Sequence, residues 1–378
     1  MQVAVEESHH FPCRQCGADL RFAPEQGRLV CDHCGFGEDV NGTPRKIAPP
    51  SENPFRPGLD AALSDEAEAE DLRFSKCPNC GAEVTLDAAV HAADCPFCAT
   101  PVVADTGARR QIKPGGIVPF LLPEHEARKA MADWLGRLWF APGGLVDYAR
   151  KGRMLQGIYM PYWTFDADTR SSYEGRRGTV YYETERVHVQ DGRGGRRSET
   201  RRVAKVRWTP VAGRVARFFD DVLILASEAL PESHTTALMP WDLSQLQPYA
   251  PHYLAGFRAN GYSVPLDTGY GRARAWMDRM IERDIRFDIG GDRQVINHVN
   301  TDVSGVTFKH VLLPVWTAAY RYRGKSYRFV VNGQTGRVQG ERPWSVVKIA
   351  FAVLAGAALV VAAAAALQYA RQQGLIGQ

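Results

Sequence analysis

An α+β protein with mainly antiparallel sheet, two small β units ahead of its main body and one apolar helix behind it is the fold class that this 378-residue sequence predicts. Three observations lead there. Eight cysteines fall into four Cys-x-x-Cys pairs, with none left over. The middle of the chain alternates aromatic, β-branched and turn residues, interrupted by two stretches of helical periodicity. Near the C-terminus, nineteen residues from Ile349 to Leu367 carry no charge and no proline. Hydrophobic residues make up 45% of the chain and charged residues 23%, which excludes wholesale disorder and leaves room for more than one core. The net charge of +4 is too mild to identify a nucleic-acid binder, so charge must be judged cluster by cluster.

The first element is residues 1–46. Its cysteines are Cys13, Cys16, Cys31 and Cys34, and fourteen residues separate the two pairs. A shift of 64 positions lands without a gap on Cys77, Cys80, Cys95 and Cys98, the heart of a second element at 73–104. Gly17-Ala18-Asp19-Leu20 also lines up with Gly81-Ala82-Glu83-Val84, so one small unit is duplicated. A two-residue gap lets a tight turn place both sulfurs on one side. Glycine after the second cysteine (Gly17, Gly35, Gly81) frees the backbone where a positive φ is expected, and Ala99 takes that place in the last turn. Two such turns on a short hairpin give four thiolates in a tetrahedron, the ligand set of a structural zinc ribbon. The expectation is two Zn²⁺, one per cluster, with no position open for a catalytic water. A four-thiolate site also accepts iron, which stands as the alternative. Disulfides fit less well, because no secretory signal precedes the first cluster. His33, between Cys31 and Cys34, is read as a turn residue.

Residues 47–72 read as a linker, proline-rich and then acidic, with a short helix over Leu59–Leu72; residues 105–116 read as a second linker. The body spans 117–343. It opens with a strand at Ile117–Leu122 and a helix whose first turn holds Glu124 and Glu126, where the helix dipole favours acids. Met131, Trp134, Leu135 and Leu138 form its apolar stripe. Strands follow from Gly157 to Phe219, then a helix at Arg272–Ile285 with Trp276, Met277, Met280 and Ile281 on one face. Strands at His310–Arg323 and Tyr327–Val331 close the body, with a tight turn near Gly324 and a second at Asn332-Gly333. Met160-Pro161-Tyr162-Trp163-Thr164 matches Leu313-Pro314-Val315-Trp316-Thr317 at an offset of 153, so the body reads as two related halves.

The last element, 346–369, reads as a transmembrane helix, followed by a short tail at 370–378. Nineteen residues at 1.5 Å each span roughly 28 Å, close to a hydrocarbon core of about 30 Å. Arg337, Arg342 and Lys348 precede the span and Arg371 follows it, which places the N-terminal bulk on the cytoplasmic side of a cell membrane. That reducing side also suits metal-bound thiolates.

No catalytic residues are expected. Gly324-Lys325-Ser326 mimics the end of a phosphate-binding loop, but Ala319 stands where the motif needs glycine. His298, His310 and Asp302 read as packed or surface residues of strands. One basic cluster stands out: Arg193, Arg196, Arg197, Arg201, Arg202, Lys205 and Arg207, with Glu199 the lone acid in that window. On a hairpin tip it is a candidate contact for anionic lipid, an acidic partner or nucleic acid.

Six strings then carry a family resemblance: CPNCGAEV (77–84), CPFCAT (95–100), IVPF (117–120), YMPYWTFDA (159–167), VNTDVSGVTFKHVLLPVW (299–316) and VNGQTGRVQGERPWS (331–345). They resemble bacterial zinc-ribbon proteins that end in one membrane helix, often labelled TFIIB-type zinc ribbon or primosomal protein N′, helicase-like. The resemblance implies membrane-associated partners of the SPFH or phage-shock type and a scaffold role in envelope stress. It does not bring a motor motif with it, and the first ribbon goes beyond the family pattern. The expectation is a non-enzymatic scaffold or adaptor at the cytoplasmic membrane face. Its rivals are nucleic-acid binding through the ribbons and the basic cluster, and an unrecognised enzyme in the body.

Overall fold

A computed structural model of the chain describes residues 11–40, 50–63, 69–85, 92–98, 100–103, 107–142, 155–190, 196–322, 325–342 and 344–372. These form a mixed α+β fold, mostly sheet, with five α-helices among the described residues. The N-terminal unit is a three-stranded antiparallel sheet of β1 (Leu20–Ala23), β2 (Arg28–Cys31) and β3 (Gly37–Asp39). β4 (Asn53–Pro54) and α1 (Phe55–Leu63) follow. The second unit holds β5 (Ala69–Lys76), β6 (Glu83–Thr85), β7 (Ala92–Asp94), β8 (Pro101–Val103) and β9 (Gly107–Ile112).

Two stretches read as linkers are therefore structured. The helix lies at Phe55–Leu63 rather than Leu59–Leu72, and Ala69–Leu72 belongs to β5. Phe55 draws the helix onto the body, its ring 4.3 Å from Tyr270 and 6.2 Å from Phe165. Residues 107–112 pair with β5 over Ala69↔Ile112 to Phe74↔Gly107. Neither stretch has a strong local pattern. Pairing with distant segments orders them.

The body begins with β10 (Gly116–Ile117), shorter than the strand expected at Ile117–Leu122, and α2 (Glu124–Gly136). It continues with two long strands, β11 (Gln156–Gln190) and β12 (Arg196–Leu225), then α3 (Glu232–Ala237) and the short β13 (Gln247–Pro248) and β14 (Arg258–Ala259). α4 (Leu266–Ile289) precedes β15 (Arg293–Tyr322), β16 (Lys325–Asn332) and β17 (Val338–Gly340), and α5 (Val346–Gln372) comes last. The turn expected near Gly324 lies outside the described residues. The Asn332 turn does join a hairpin, with the positive φ at Gly336.

β11 is the spine. It pairs antiparallel with β15 on one side and β12 on the other. Met160 faces Leu313, so the two matching Pro-x-Trp-Thr segments run side by side in opposite directions. The surroundings match as well. β14 pairs parallel with Ile158–Tyr159, and β10 pairs parallel with Val311–Leu312. The β11–β12 hairpin begins at Tyr162↔Leu225 and the β15–β16 hairpin at Val315↔Asn332. The two indoles are also held alike: Trp163 Nε1 donates to Val264 O and Trp316 Nε1 to Leu122 O, both at 2.9 Å.

Residues 158–167 are buried on both faces of the sheet, Thr164 and Asp166 included. From Ala167 to Gly175 burial alternates strictly, because α4 covers one face and the other is bare. α4 packs through Leu266, Gly269, Ala273, Met277, Ile281, Ile285 and Ile289. Trp276, expected on that face, sits at its margin with its ring 5.9 Å from Phe219. Beyond Gly178 the β11–β12 hairpin continues without β15. The twelve residues from Thr179 to Gln190, at 3.3 Å each, carry the hairpin roughly 40 Å past its last pairing with β15, as an arm.

Candidate metal centres

Each Cys-x-x-Cys turn is built the same way. The amide of Gly17 donates to Cys13 O at 2.8 Å and the Cys13 amide donates to Ala18 O at 2.7 Å. Gly35 and Cys31 repeat this at 2.9 and 2.8 Å, and Gly81 and Cys77 at 2.9 and 2.8 Å. Gly17, Gly35 and Gly81 have φ of 77°, 75° and 72°, the left-handed conformation that the spacing predicted and that side chains resist. In the fourth turn the Cys95 amide donates to Thr100 O at 2.8 Å, while Ala99 lies outside the described residues.

These turns bring the sulfurs together in two groups. Within Cys13, Cys16, Cys31 and Cys34, and within Cys77, Cys80, Cys95 and Cys98, all Sγ atoms lie within 4.8 Å of one another. The closest pairs are Cys13–Cys34 at 3.6 Å, Cys16–Cys31 at 3.5 Å, Cys77–Cys98 at 3.5 Å and Cys80–Cys95 at 3.7 Å. A tetrahedron with metal–sulfur bonds of about 2.3 Å has edges of about 3.8 Å, so either group could hold one metal ion. All eight cysteines are free. The packed thiols also acidify selectively. Hydrogen bonding from the Cys95 thiol pulls Cys80 down to about 5, and the same contact pushes Cys95 up. The Cys34 amide pulls Cys31 down to about 6. A lowered thiol favours the thiolate, the form in which cysteine serves as a metal ligand.

The two groups differ in setting. Cys16 and Cys34 are exposed, and the first group packs through Leu20, Phe22 and Leu29 against Tyr253 and Ala255. The Phe22 amide donates to Ala255 O at 2.9 Å. Cys77, Cys95 and Cys98 are buried in the same cluster as Ile158, Met160, Leu313 and Val315 of the central strands. Thr317 Oγ1 donates to Pro96 O at 3.3 Å, and Gln111 exchanges hydrogen bonds with the Tyr262 backbone at 2.6 and 2.9 Å. The second cluster is therefore part of the body's core. His33 makes no third-party ligand set; the grouped side chains are cysteines alone.

A polar cluster that sequence reading missed lies at a bulge of β11. Glu52, Asp166 and Asp221 converge there from three separate segments. Lys309 fills the space between them. Its ammonium, with the side chain 9% exposed, pairs with Glu52 and lies 2.8 Å from Asp221 Oδ1. Thr307 Oγ1 donates between Glu52 and Asp166, at 3.0 and 3.2 Å. The Lys309 ammonium supplies positive charge here, so the described side chains form an ion-pair network. Burial pushes the Glu52 carboxyl up despite the ammonium beside it. No local signal marks these residues, because positions 52, 166, 221 and 309 meet only in the folded chain.

His310 is buried against Trp163 and Tyr262, with Nδ1 2.8 Å from Ile112 O; burial pushes it down to about 4. His298 and Asp302 are exposed on the bare face of β15, and His298 lines a shallow groove of about 380 Å³ with Ser172, Glu174 and Arg214. The structure does not bring His298 and His310 together; eleven residues of extended strand separate them.

The basic cluster lies on the arm. Arg193 falls outside the described residues, and Arg196 and Arg197 are placed on β12 by backbone register alone, opposite Gln190 and Val189. Arg201, Arg202 and Arg207 are exposed. Lys205 is not free, because Glu183 and Glu185 on the facing strand reach its Nζ at 2.6 and 2.7 Å. The sequence window hid these two acids. Arg202 lies 4.9 Å from the Tyr182 ring and Arg207 5.2 Å from the Tyr181 ring.

Compared with known proteins, the chain is 26% identical over 351 residues to an uncharacterized protein, YdjG, of Bacillus subtilis (strain 168), across 92% of this chain and 94% of that one. No family model matches the chain. No solved structure matches it either.

Proposed function

We propose that this chain is a zinc-bearing scaffold or adaptor, held at the cytoplasmic face of a cell membrane by α5, that positions other proteins there and performs no chemistry itself. The observation that carries this reading is the arm. Beyond Gly178 the strand pairing among the described residues is that of the β11–β12 hairpin alone, and past Val180, whose amide donates to Asp292 Oδ2 at 2.7 Å, the strand edges stay open for a partner. At the other end of the chain, α5 is long and apolar enough to cross a membrane, by length and composition, and none of its apolar stretch is buried. Arg337 and Arg342 before that helix and Lys348 in its first turn, all ahead of the uncharged run that starts at Ile349, support the inward orientation. The sulfur spacing supports one Zn²⁺ in each four-cysteine group, as structural zinc ribbons, and the matching pairing around Trp163 and Trp316 supports a body of two related halves. The family resemblance points to partners of the SPFH or phage-shock type.

Photo-crosslinkers placed along the exposed positions of the arm in intact membranes test the adaptor reading. A discrete protein adduct from Tyr182 and Arg202, absent from positions on α4, is the expected result. Adducts to lipid alone would count against it. Elemental analysis of the purified protein should give two zinc per chain, and iron would show as colour and a different count.

The aromatic–cation pairs on the arm favour one second reading, nucleic-acid binding. Arginine stacked on tyrosine is a surface that single-stranded bases can join. Salt-dependent binding of single-stranded DNA by the full chain, lost in Arg202→Gln/Arg207→Gln, would establish it.

A further inference from the structure

Where α5 leaves the body, the chain builds a second apolar surface that the helix alone does not require. The Ser345 amide donates to Phe140 O at 2.8 Å, and Lys348 Nζ donates to Trp139 O at 3.2 Å. The ring centroids of Phe140 and Trp344 are 6.3 Å apart, and the Arg342 guanidinium lies 4.3 Å from the Trp344 ring. Two segments far apart in sequence, the corner after α2 and the lead into α5, are thus tied together at the helix root.

This corner is not packed into the core. Trp139 is 77% exposed and Trp344 56% exposed, directly beside Val346 and Val347, which are 78% and 79% exposed. A single exposed tryptophan needs no explanation, but two of them joined to the start of a bilayer-length helix form one continuous apolar surface. The charge pattern is one-sided. Residues 137–142 and 342–348 contain Arg137, Arg342 and Lys348 and no acid. Glu341, just outside, is 3.4 Å from Arg328.

Geometry sets the height of this surface. Lys348 is the third residue of α5, so its bond to Trp139 O holds the corner level with the first helical turn. Trp344 lies two residues before the helix. Both indoles therefore stand where hydrocarbon gives way to headgroups, the depth that suits a ring with an apolar body and one N–H donor. Tyr369, 63% exposed, sits at the opposite end of the span, where the second interface would lie. Lys348 directs its ammonium back toward the body rather than along the apolar helix, as a snorkelling lysine does.

We propose that the bilayer meets this protein at two places, the length of α5 and a collar of Trp139, Phe140 and Trp344 flanked by Arg137 and Arg342, and that the collar seats the body against the headgroups. This rests on the membrane reading of α5 given above. The collar fixes the tilt of the body on the membrane, where a bare polar tether would leave it free to swing.

The test uses the full chain reconstituted into phosphatidylcholine–phosphatidylglycerol vesicles, with lipids brominated either near the headgroup or deep in the acyl chain. Bromine quenches only those tryptophans it can reach. The expected result is stronger quenching by the shallow label than by the deep one. In Trp139→Phe/Trp344→Phe the shallow quenching should fall by about half or more, because the interfacial indoles are those the label reaches. The double variant keeps the apolar rings, so it should still fold and float with the vesicles. Equal quenching of wild type and variant, with both floating, overturns the collar and leaves the anchor standing. Failure of the wild type to float overturns the anchor, and the collar with it.

Discussion

Cys95 and Cys16 occupy equivalent kinds of turn and have unequal surroundings. Cys95 is 1% exposed in a core shared with Met160 and Leu313, whereas Cys16 is exposed. On the proposed two-zinc reading, replacing either by serine removes one of four ligands and should cost about one metal ion per chain by elemental analysis. The melting behaviour should separate them: Cys95→Ser should lower the cooperative transition of the body, and Cys16→Ser should leave it nearly in place. Equal losses would show that the body does not depend on the second cluster. Lys309 makes a comparable demand. Lys309→Met leaves Glu52 and Asp221 without their shared cation, beside Asp166. Breaking a buried pair costs 3–5 kcal/mol, and because Glu52 is partly exposed the lower end, about 3 kcal/mol, is expected in chemical denaturation. The cysteines were legible from spacing alone, since a tight turn fixes where two sulfurs go. Lys309 was not legible, since its two partners, Glu52 and Asp221, come from other parts of the chain.

Two glycines of one helix should respond with opposite signs. A Cβ on Gly269 of α4 would lie 2.6 Å from Trp163 Cδ1, while one on Gly271 meets nothing within 4 Å. Gly269→Ala therefore forces helix and indole apart and should cost about 1–3 kcal/mol. Gly271→Ala removes backbone freedom from the unfolded chain without a clash and should add about 0.5–1 kcal/mol. Matched changes of the same sign in urea melts would mean that α4 does not rest on Trp163. Helical spacing located this helix, but its packing face is set by Gly269 and Ala273, which carry no apolar signal of their own. The long strands show the same limit. Alternation from Ala167 to Gly175 announces a sheet with one bare face, yet nothing local says that β11 runs on to Gln190 or that β15 stops supporting it at Gly178.

At the scale of the whole molecule, the N-terminal units are not beads on a string. Phe22 meets Ala255, Gln111 meets Tyr262, and Glu52 meets Lys309, so units and linkers lie on the body along much of its length. Shape and anchoring then have separate sources. Ending the chain after Ser345 removes α5, none of whose apolar stretch is buried, and so should leave the folded body intact. The shortened protein should move from the alkali-resistant membrane pellet to the supernatant, with the metal content of the full chain unchanged. Loss of metal on that truncation would show that α5 belongs to the fold rather than to the bilayer.

The sequence by itself determined the local and periodic features: which cysteines group, that Gly17, Gly35 and Gly81 are left-handed, which helix is apolar all round, and that the sheet is mainly antiparallel. Each depends on neighbours within a few residues or on a repeat, so it is written in order along the chain. The tertiary structure decided which core encloses the second cluster, which charges meet around Lys309, that Glu183 and Glu185 claim Lys205, and that the corner at Trp139 joins the root of α5. Those contacts join residues up to hundreds of positions apart, and the physical reason they escape sequence reading is that burial and electrostatics act through space, at distances that only the folded chain defines.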